Sequence, residues 1–419
     1  MTSHAFTLIF VFFLVATLSA RLWLSLRQIR HITAHKDHVP PRFAVAISLS
    51  SHQKAAAYNR TKQRFGIFMM FVDALVLLCF TLVGGLAWLA EQILGLMGSS
   101  MLYQLGILIA FALVSGLIDL PFDYYSQFVI EEKFGFNNMS PTLFFTDLLK
   151  SSFMSIVIGL PLAWLALTLM ANAGDWWWVY AWIFWNIFQL LMMVLYPTLI
   201  APLFNKFTPL QDSDLRTRIE DLLKRTGFTS NGLFVMDGSK RSSHGNAYFT
   251  GFGAAKRIVF YDTLISRLSA PEVEAVLAHE LGHFRLKHII KRISLMGVIS
   301  FGFLALLGYL KTQEWFYLGL GVSPSLTAGN DAVALLLFAL TLPLFTFFFS
   351  PLLSIGSRKH EFEADAFASQ HANAGELASA LVRMYEDNAS TLTPDPLYSA
   401  FYDSHPPASI RIDRLLGKT

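Results

Sequence analysis

The sequence predicts a mainly α-helical, polytopic membrane protein with about seven transmembrane helices and a small globular part that carries a short β-sheet. Composition is the first observation behind this prediction. Of the 419 residues, 54% are hydrophobic and only 15% are charged, which is too apolar for an ordinary soluble domain. The second observation is a series of apolar stretches of about 20 residues, the length that crosses about 30 Å of hydrocarbon.

Seven stretches meet this length criterion, and they divide the chain into four parts. We expect residues 1–200 to hold five spans and 293–352 to hold two. We expect 201–292 and 353–419 to form the two halves of a globular domain. No A-x-A-like cleavage site follows the first span, so it is predicted to stay as an anchor. The predicted spans are 5–27, 67–90, 102–122, 151–171, 177–200, 293–311 and 332–352.

Loop charges predict the orientation, because short cytoplasmic loops carry an excess of Lys and Arg. The loop after the first span has a single acid, Asp37, against many basic residues, so we expect it inside and the N-terminus outside. Alternation then places 201–292 and 353–419 on the cytoplasmic side. Short connecting loops suggest a bacterial inner membrane. The basic residues are Arg30, Lys36, Arg42, Lys54, Arg60, Lys62 and Arg64.

In segment 201–292 the long apolar runs are replaced by shorter patterns typical of helices and strands. Residues 215–225 have the spacing of a helix, and 233–237, 247–250 and 258–261 are typical of short strands. We expect a small sheet next to a helix that begins near Pro271. Cys79 is the only cysteine, so the chain forms no internal disulfide and a thiolate metal site is implausible.

The helix after Pro271 carries His279-Glu280-Leu281-Gly282-His283. Positions i and i+4 share a helix face, so both imidazoles can hold one Zn²⁺ ion with Glu280 beside it. Such an ion lowers the pKa of its bound water to about 7, and a carboxylate can take the proton as the water attacks a peptide carbonyl. The motif therefore predicts metal-assisted peptide hydrolysis with one zinc ion per chain.

A helix is the expected setting of this motif. Pro271 and Glu272 suit a first helical turn, and Lys287, Lys291 and Arg292 suit a helix C-terminus. The alternative is a pair of helical histidines that only pack or face solvent.

A third ligand has to come from elsewhere in the chain. Leu286 and Ile289 stand where a Gly and a His would continue the H-E-x-x-H-x-x-G-x-x-H pattern, so that class is excluded. Glu361 is the best carboxylate candidate. Asp365 lies one turn further and could fix the tautomer of His279 from outside the ligand shell, while Glu363 points about 200° away around the helix.

Several motifs together resemble the type I CAAX prenyl proteases, integral-membrane zinc endopeptidases related to the HtpX-type membrane proteases. The resemblance covers essentially the whole chain, in order. Its motifs are 131–137, 238–249, the His279 motif, 357–365 and 404–407. It implies seven spans that enclose a chamber, a zincin-like catalytic domain facing that chamber, and removal of the last three residues of a prenylated Cys-aliphatic-aliphatic-X sequence.

The resemblance also implies roles for individual residues. His279, His283 and Glu361 carry over as zinc ligands, and Glu280 as the general base. Asn246 carries over as a contact to the substrate backbone beside an edge strand. His405 and Arg411 carry over as groups that stabilise the oxyanion at the scissile carbonyl. No such role falls on His244, His288 or His360, which are expected to be structural.

Partners and alternatives follow from the same observations. We expect a peptide or protein substrate, membrane lipid around the spans, and no nucleic acid, because no Lys/Arg run is interleaved with aromatics.

One alternative function is that of a broad quality-control protease of the HtpX type. Another is a non-enzymatic membrane protein that binds lipid or peptide and holds a metal only for structure. The presence of Glu280 disfavours that second alternative, since a structural site needs no general base.

Overall fold

A computed structural model of the chain describes residues 1–250, 257–325 and 328–417. Over these residues the fold is mainly helical, and seven segments are long and apolar enough to cross a membrane, which confirms the predicted fold class. These segments are Ser3–His35, Leu49–Phe80, Met101–Phe134, Pro141–Asn172, Gly174–Phe204, His288–Leu310 and Asp331–His371.

The helices are α1 (Ser3–His35), α2 (Leu49–Phe80), α3 (Gly85–Met97), α4 (Met101–Tyr125), α5 (Glu132–Phe134), α6 (Pro141–Asn172), α7 (Trp177–Leu195), α8 (Ala201–Phe204), α9 (Ser213–Thr226), α10 (Asp262–Ile265), α11 (Ala270–Arg285), α12 (His288–Leu310), α13 (Glu314–Leu318), α14 (Asp331–Thr346), α15 (Ser350–His371), α16 (Ala374–Asp387), α17 (Pro396–Tyr402) and α18 (Ala408–Leu415). Two π-helical turns, Ser126–Glu131 and Tyr196–Ile200, follow α4 and α7 and lengthen the segments that contain them.

The second predicted span, 67–90, is corrected by the structure. Helix α2 begins already at Leu49 and ends at Phe80, and Gly84 then adopts a left-handed conformation with φ of 87° before α3. Glycine reaches positive φ without the steric cost that a Cβ adds, so the chain turns here although it stays apolar. Hydropathy alone does not report such a turn, and the predicted window runs across it.

The spans share one buried core, to which α1, α2, α4, α6, α7, α12 and α14 contribute apolar side chains. Outside this core, large apolar side chains such as Phe12, Leu149 and Val298 are more than half exposed. Such a surface is expected where the acyl chains of a bilayer cover the helices.

The globular part contains a four-stranded sheet with the strand order β1-β2-β4-β3. Strands β2 (Leu233–Met236), β3 (Ala247–Thr250) and β4 (Arg257–Tyr261) lie where the sequence predicts strands. Strand β1 (Phe207–Pro209) was not predicted, since three residues ending in a proline give no strand signal. Strand β2 runs parallel to β4, and β3 pairs antiparallel with β4 as an edge strand.

A second core joins the sheet to the helices around the His279 motif. Helix α9, close to the predicted 215–225, has an Asp212 side-chain cap and a left-handed Gly227 at its end. Its Leu215, Ile219 and Leu222 are buried together with residues of α11, α15 and α16. Helix α11 therefore lies at the centre of this core.

The ends of α11 have different causes. At its start, Ser269 and Glu272 form a capping box, which satisfies backbone N–H groups that the first turn leaves without partners. At its end, Arg285 is followed by Lys287 with φ of 59°. The predicted C-terminal role of Lys291 and Arg292 is thus wrong, because both lie in the next helix, α12.

Glu272 gives a stability prediction. This residue is only 1% exposed. Its Oε1 accepts a hydrogen bond from Ser379 Oγ at 2.6 Å and pairs with Arg383 Nε at 2.9 Å. Its Oε2 accepts a hydrogen bond from the backbone N of Ser269 at 2.8 Å. We expect Glu272→Gln to lower the unfolding free energy by about 1–3 kcal/mol. Thermal melting of the detergent-solubilised protein measures this, with the exposed Glu386→Gln as control.

The same substitution has a predictable pH dependence. Burial raises the pKa of Glu272, but hydrogen bonds from Ser379 and Ser269 outweigh it and hold the pKa below its ordinary value. The carboxylate's stabilisation is then present above the unfolded-state pKa of about 4.3 and is lost as the pH falls through the lower folded-state pKa. A melting difference as large at pH 3 as at pH 7 would contradict this.

The C-terminal segment is attached to the first span. Arg27 of α1 pairs with Asp395 at 2.9 Å, and the backbone N of Asp395 donates to Gln28 Oε1 at 2.7 Å. Asp395 also caps α17. These contacts fix the position of the turn between α17 and α18, which contains His405, relative to the membrane helices.

Candidate active site

The His279 motif lies in the middle of α11, as the sequence predicts. One helical turn separates His279 from His283, and their Nε2 atoms are 3.2 Å apart. His279 is 6% exposed and His283 is partly buried. The two imidazoles thus face one point rather than solvent.

Helix α15 crosses α11 at this point, and Gly282 permits the close approach. A Cβ added at Gly282 would lie 3.0 Å from the Cα of Ala364, which is tighter than side chains normally tolerate. The approach brings Glu361 of α15 to the histidines. Its Oε1 is 3.3 Å from His283 Nε2, and its Oε2 is 3.5 Å from His279 Nε2.

These side chains lie close enough together to hold one metal ion, since one ligand atom from each lies within 4.8 Å of the others. The two Nε2 atoms are 3.2 Å apart, and each faces a different carboxylate oxygen of Glu361, Oε1 at 3.3 Å from His283 and Oε2 at 3.5 Å from His279. Glu361 Oε2 is also buried without a hydrogen bond from the described residues. Two imidazoles and a carboxylate leave a fourth position open, which is typical of catalytic rather than structural sites.

Asp365 and Arg411 surround this cluster. Asp365 Oδ1 lies 2.8 Å from His279 Nδ1, on the side of the ring away from Glu361. Arg411 of α18 is 6% exposed and donates to both carboxylate oxygens of Asp365, at 2.8 and 2.6 Å. Its Nη1 lies 3.2 Å from Glu361 Oε2. One buried guanidinium therefore offsets the charge of two buried carboxylates.

The electrostatics of His279 depend on these carboxylates. Burial lowers the pKa of His279, but hydrogen bonds to Asp365 and Glu361 outweigh it and raise the pKa to about 9. The raised pKa favours the protonated form of His279 in the metal-free protein. A metal ion that binds Nε2 has to displace a proton, so binding tightens as the pH rises.

Of the remaining predicted site residues, Glu280 and His405 lie next to the cluster, whereas Asn246 has no contact with it among the described residues. Glu280 is partly buried and has no hydrogen bond or ion pair with another described residue. The His405 side chain is 62% exposed, and its Nε2 is 3.4 Å from Glu361 Oε1. Asn246 is exposed at the residue before edge strand β3, where its backbone O accepts from the N–H of Tyr261 at 2.9 Å.

Asn246 also lines a cavity of about 620 Å³ between the sheet and the membrane helices. Tyr58, Lys62, His244 and Asn388 are among the residues that line it. His244 stacks on Phe136 with ring centroids 4.5 Å apart, so this histidine packs in the cavity wall and not at the metal cluster.

His288 was not among the predicted site residues, yet it contacts the cluster. Its Nδ1 is 3.0 Å from His283 Nδ1, and its Nε2 is 2.9 Å from Glu363 Oε2. The contact arises because the chain turns at Lys287 and starts α12, so no helical spacing relates His288 to the motif. Glu363 points away from the ligand cluster, as predicted, and meets His288 instead.

Seven apolar helices and a helical His-Glu-x-x-His motif opposite a distal glutamate define a membrane metallopeptidase with a zincin-like site. Comparison with known proteins agrees. Residues 28–206 match the family described as CAAX prenyl protease N-terminal, five membrane helices, and residues 209–419 match peptidase family M48.

Individual relatives match over nearly the whole chain. The CAAX prenyl protease 1 homolog of Arabidopsis thaliana is 38% identical over 97% of this chain and 96% of its own. CAAX prenyl protease 1 of Saccharomyces cerevisiae is 36% identical over 96% of this chain and 93% of its own. The CAAX prenyl protease 1 homolog of Homo sapiens is 32% identical over 94% of this chain and 92% of its own. The crystal structure of S. mikatae Ste24p has a TM-score of 0.92 at 35% identity, covering 98% of this chain and 99% of that one.

The chain therefore belongs to peptidase family M48 and is a membrane metallopeptidase homologous to the CAAX prenyl proteases. The relatives described here are eukaryotic and give no support to the bacterial inner membrane expected from the short loops.

Proposed function

We propose that this protein is a zinc-dependent endopeptidase that cleaves C-terminal CAAX sequences carrying a prenylated cysteine. The observation that carries the zinc assignment is the convergence of His279, His283 and Glu361, whose ligand atoms lie within 4.8 Å of one another. Three protein ligands would leave the fourth position of a tetrahedral ion for a water. The substrate class rests on similarity to CAAX prenyl proteases over nearly the full chain.

In this proposal His279, His283 and Glu361 hold the ion. A bound zinc ion supplies Lewis acidity, which lowers the pKa of a water to about 7 and polarises the peptide carbonyl. Glu280, the one acid of the motif, takes the proton of the attacking water and passes it to the leaving amine. Glu280 makes no ion pair with another described residue, which leaves the carboxylate available for both transfers.

His405 and Arg411 are proposed to stabilise negative charge on the scissile carbonyl oxygen. His405 is exposed beside Glu361, so its Nε2 can donate a hydrogen bond to a substrate there. Arg411 is buried and its Nε and Nη2 donate to Asp365, so its positive charge acts from behind the ligands. Asp365 is proposed to hold the tautomer of His279 from outside the ligand shell.

Substrate binding is proposed at the edge of the sheet. Strand β3 pairs only with β4 in the described sheet, so an extended peptide can add to its free edge through backbone hydrogen bonds. Asn246 directly precedes this edge strand and is exposed, and its side-chain amide is proposed to hold the peptide backbone.

The substitution Asn246→Ala tests this contact. We expect a rise in KM of about tenfold, corresponding to loss of a hydrogen bond of about 1.4 kcal/mol, with zinc content unchanged. Steady-state kinetics with metal analysis measure both. Asn231→Ala, at an exposed asparagine in the turn before β2, is the matched control. Loss of zinc in Asn246→Ala would contradict the role in substrate binding.

We further propose that the N-terminus lies outside and that 201–292 and 353–419 form a catalytic domain on the cytoplasmic side, between spans at 1–200 and 293–352. The basic residues after the first span support this orientation. The full-length similarity to CAAX prenyl proteases argues against the quality-control alternative. The presence of Glu280 argues against a non-enzymatic protein, because a structural metal site does not need a general base.

The experiment for the substrate class compares a farnesylated CAAX peptide with its unprenylated twin, incubated with the purified protein. Mass spectrometry identifies the products. We expect release of the C-terminal tripeptide, faster from the farnesylated peptide. Equal cleavage of both peptides at scattered positions would replace this proposal with broad quality-control proteolysis.

A further inference from the structure

A buried pair of contacts extends from His283 away from the metal cluster. His283 Nδ1 is 3.0 Å from His288 Nδ1, and His288 Nε2 is 2.9 Å from Glu363 Oε2. His288 is 4% exposed, whereas Glu363 is partly exposed at the surface of α15. The three side chains thus connect a candidate ligand to a carboxylate that cannot reach the cluster itself.

In the hydrogen-bonded chain from His283 through His288 to Glu363, the position of each proton determines the next. If Nε2 of His283 binds a metal ion, the ring proton of the neutral imidazole must sit on Nδ1. That N–H then donates to Nδ1 of His288, which has to be unprotonated. The proton of His288 is consequently on Nε2, where it donates to the carboxylate of Glu363. Every donor in the chain meets an acceptor.

We propose that His288 and Glu363 are positioning residues that hold the tautomer and the ring orientation of His283. This inference rests on the proposed function, because it takes His283 as a metal ligand. Outer contacts of this kind raise the basicity of a ligating imidazole, and their removal typically costs 10–100-fold in metal affinity.

Three acidic residues of helix α15 then act together on the two candidate histidine ligands. Glu361 contacts both candidate histidine ligands, Asp365 contacts the outer nitrogen of His279 directly, and Glu363 reaches the outer nitrogen of His283 through His288. Glu363 lies about 200° around the helix from Glu361, so it needs a bridging side chain. His288 occupies that position because α11 ends and α12 begins with a turn at Lys287.

A second metal ion among His288, His360 and Glu363 is the competing interpretation, since their ligand atoms lie within 4.8 Å of one another. The rings of His288 and His360, however, are stacked at 4.0 Å with an interplanar angle of 12°. In-plane lone pairs of stacked rings run parallel and do not converge. Metal on His288 Nε2 would also put its proton on Nδ1, facing the Nδ1 proton of His283.

The test measures the zinc dissociation constant of purified variants by competition with a chelator, alongside thermal stability. We expect binding 10–100-fold weaker for His288→Phe and for Glu363→Ala, and near wild-type binding for Glu363→Gln, which keeps an acceptor oxygen. The control His360→Ala removes the stacked neighbour but no member of the chain, so its affinity should stay within threefold. The double variant His288→Phe/Glu363→Ala should bind zinc no more weakly than His288→Phe, because both substitutions break the same series of hydrogen bonds.

Several outcomes would overturn the proposal. Zinc affinity of Glu363→Ala within threefold of wild type would do so, and this variant, at a partly exposed position, decides the matter if His288→Phe does not fold. Two zinc ions per wild-type chain, with the second lost in His360→Ala, would establish the second metal site instead. Unchanged zinc binding in His283→Ala would show that the ligand assignment itself fails.

Discussion

Replacing Glu280 by Gln is expected to reduce turnover by about 10²–10⁴-fold, the range that general acid–base catalysis contributes. The amide keeps the size of the carboxylate but cannot accept the proton of the attacking water. His279, His283 and Glu361 are unchanged, so the metal content should stay at the wild-type level. Turnover of a CAAX peptide and metal analysis on the same preparation measure both quantities.

A second glutamate of the same helix provides the control for this substitution. Glu274 pairs with Arg225 and Arg218 and, among the described residues, has no contact with the cluster. Glu274→Gln should therefore keep both turnover and metal. If Glu280→Gln retained more than a tenth of the wild-type turnover, another group would have to take the proton.

Replacing His283 by Ala is expected to abolish both metal binding and turnover. His283 is one of the three proposed protein ligands in the described part of the chain, with its Nε2 at 3.2 Å from His279 Nε2 and 3.3 Å from Glu361 Oε1. Two remaining ligands do not satisfy a tetrahedral ion that retains an open position for substrate. Metal analysis after gel filtration, together with peptide cleavage, measures the loss.

His38→Ala is the matched control, because it removes an exposed histidine in the loop after α1. It should leave metal content and turnover unchanged. Metal retained at one ion per chain in His283→Ala would contradict the ligand assignment, even if that variant were inactive.

The amino-acid sequence was informative wherever chemistry follows from local spacing. Residues four apart on one helix must share a face, so His279 and His283 could be paired without any knowledge of the fold. The setting on a helix was readable as well, since Pro271 and Glu272 mark the first turn that the structure shows at Ala270–Arg285. Length and apolarity gave the number of membrane segments, although the bounds of the second one differ.

Other features were set by backbone conformation, which hydropathy does not report. The turn at Gly84 splits the predicted span 67–90, and the left-handed Lys287 ends α11 before Lys291. The contact of His288 with His283 is a consequence of that second turn. No periodic pattern in the sequence predicts it, because the two residues belong to different helices.

Tertiary geometry adds details that the family resemblance does not give. Arg411 was expected beside the scissile carbonyl, and its side chain is buried in a two-bond contact with Asp365. The close crossing of α11 and α15 depends on Gly282 and Ala364, which lie 82 residues apart in sequence. Such a juxtaposition of distant small residues has no signal in a single sequence.

The most direct test of the central claim is a zinc titration of the metal-free protein with continuous measurement of peptide cleavage. We predict no cleavage without metal and a linear rise in rate that reaches its maximum at one zinc ion per chain. We predict that Glu280→Gln binds the same single ion and stays inactive. Full cleavage by protein shown to contain no metal would contradict the assignment of His279, His283 and Glu361 as a catalytic zinc site.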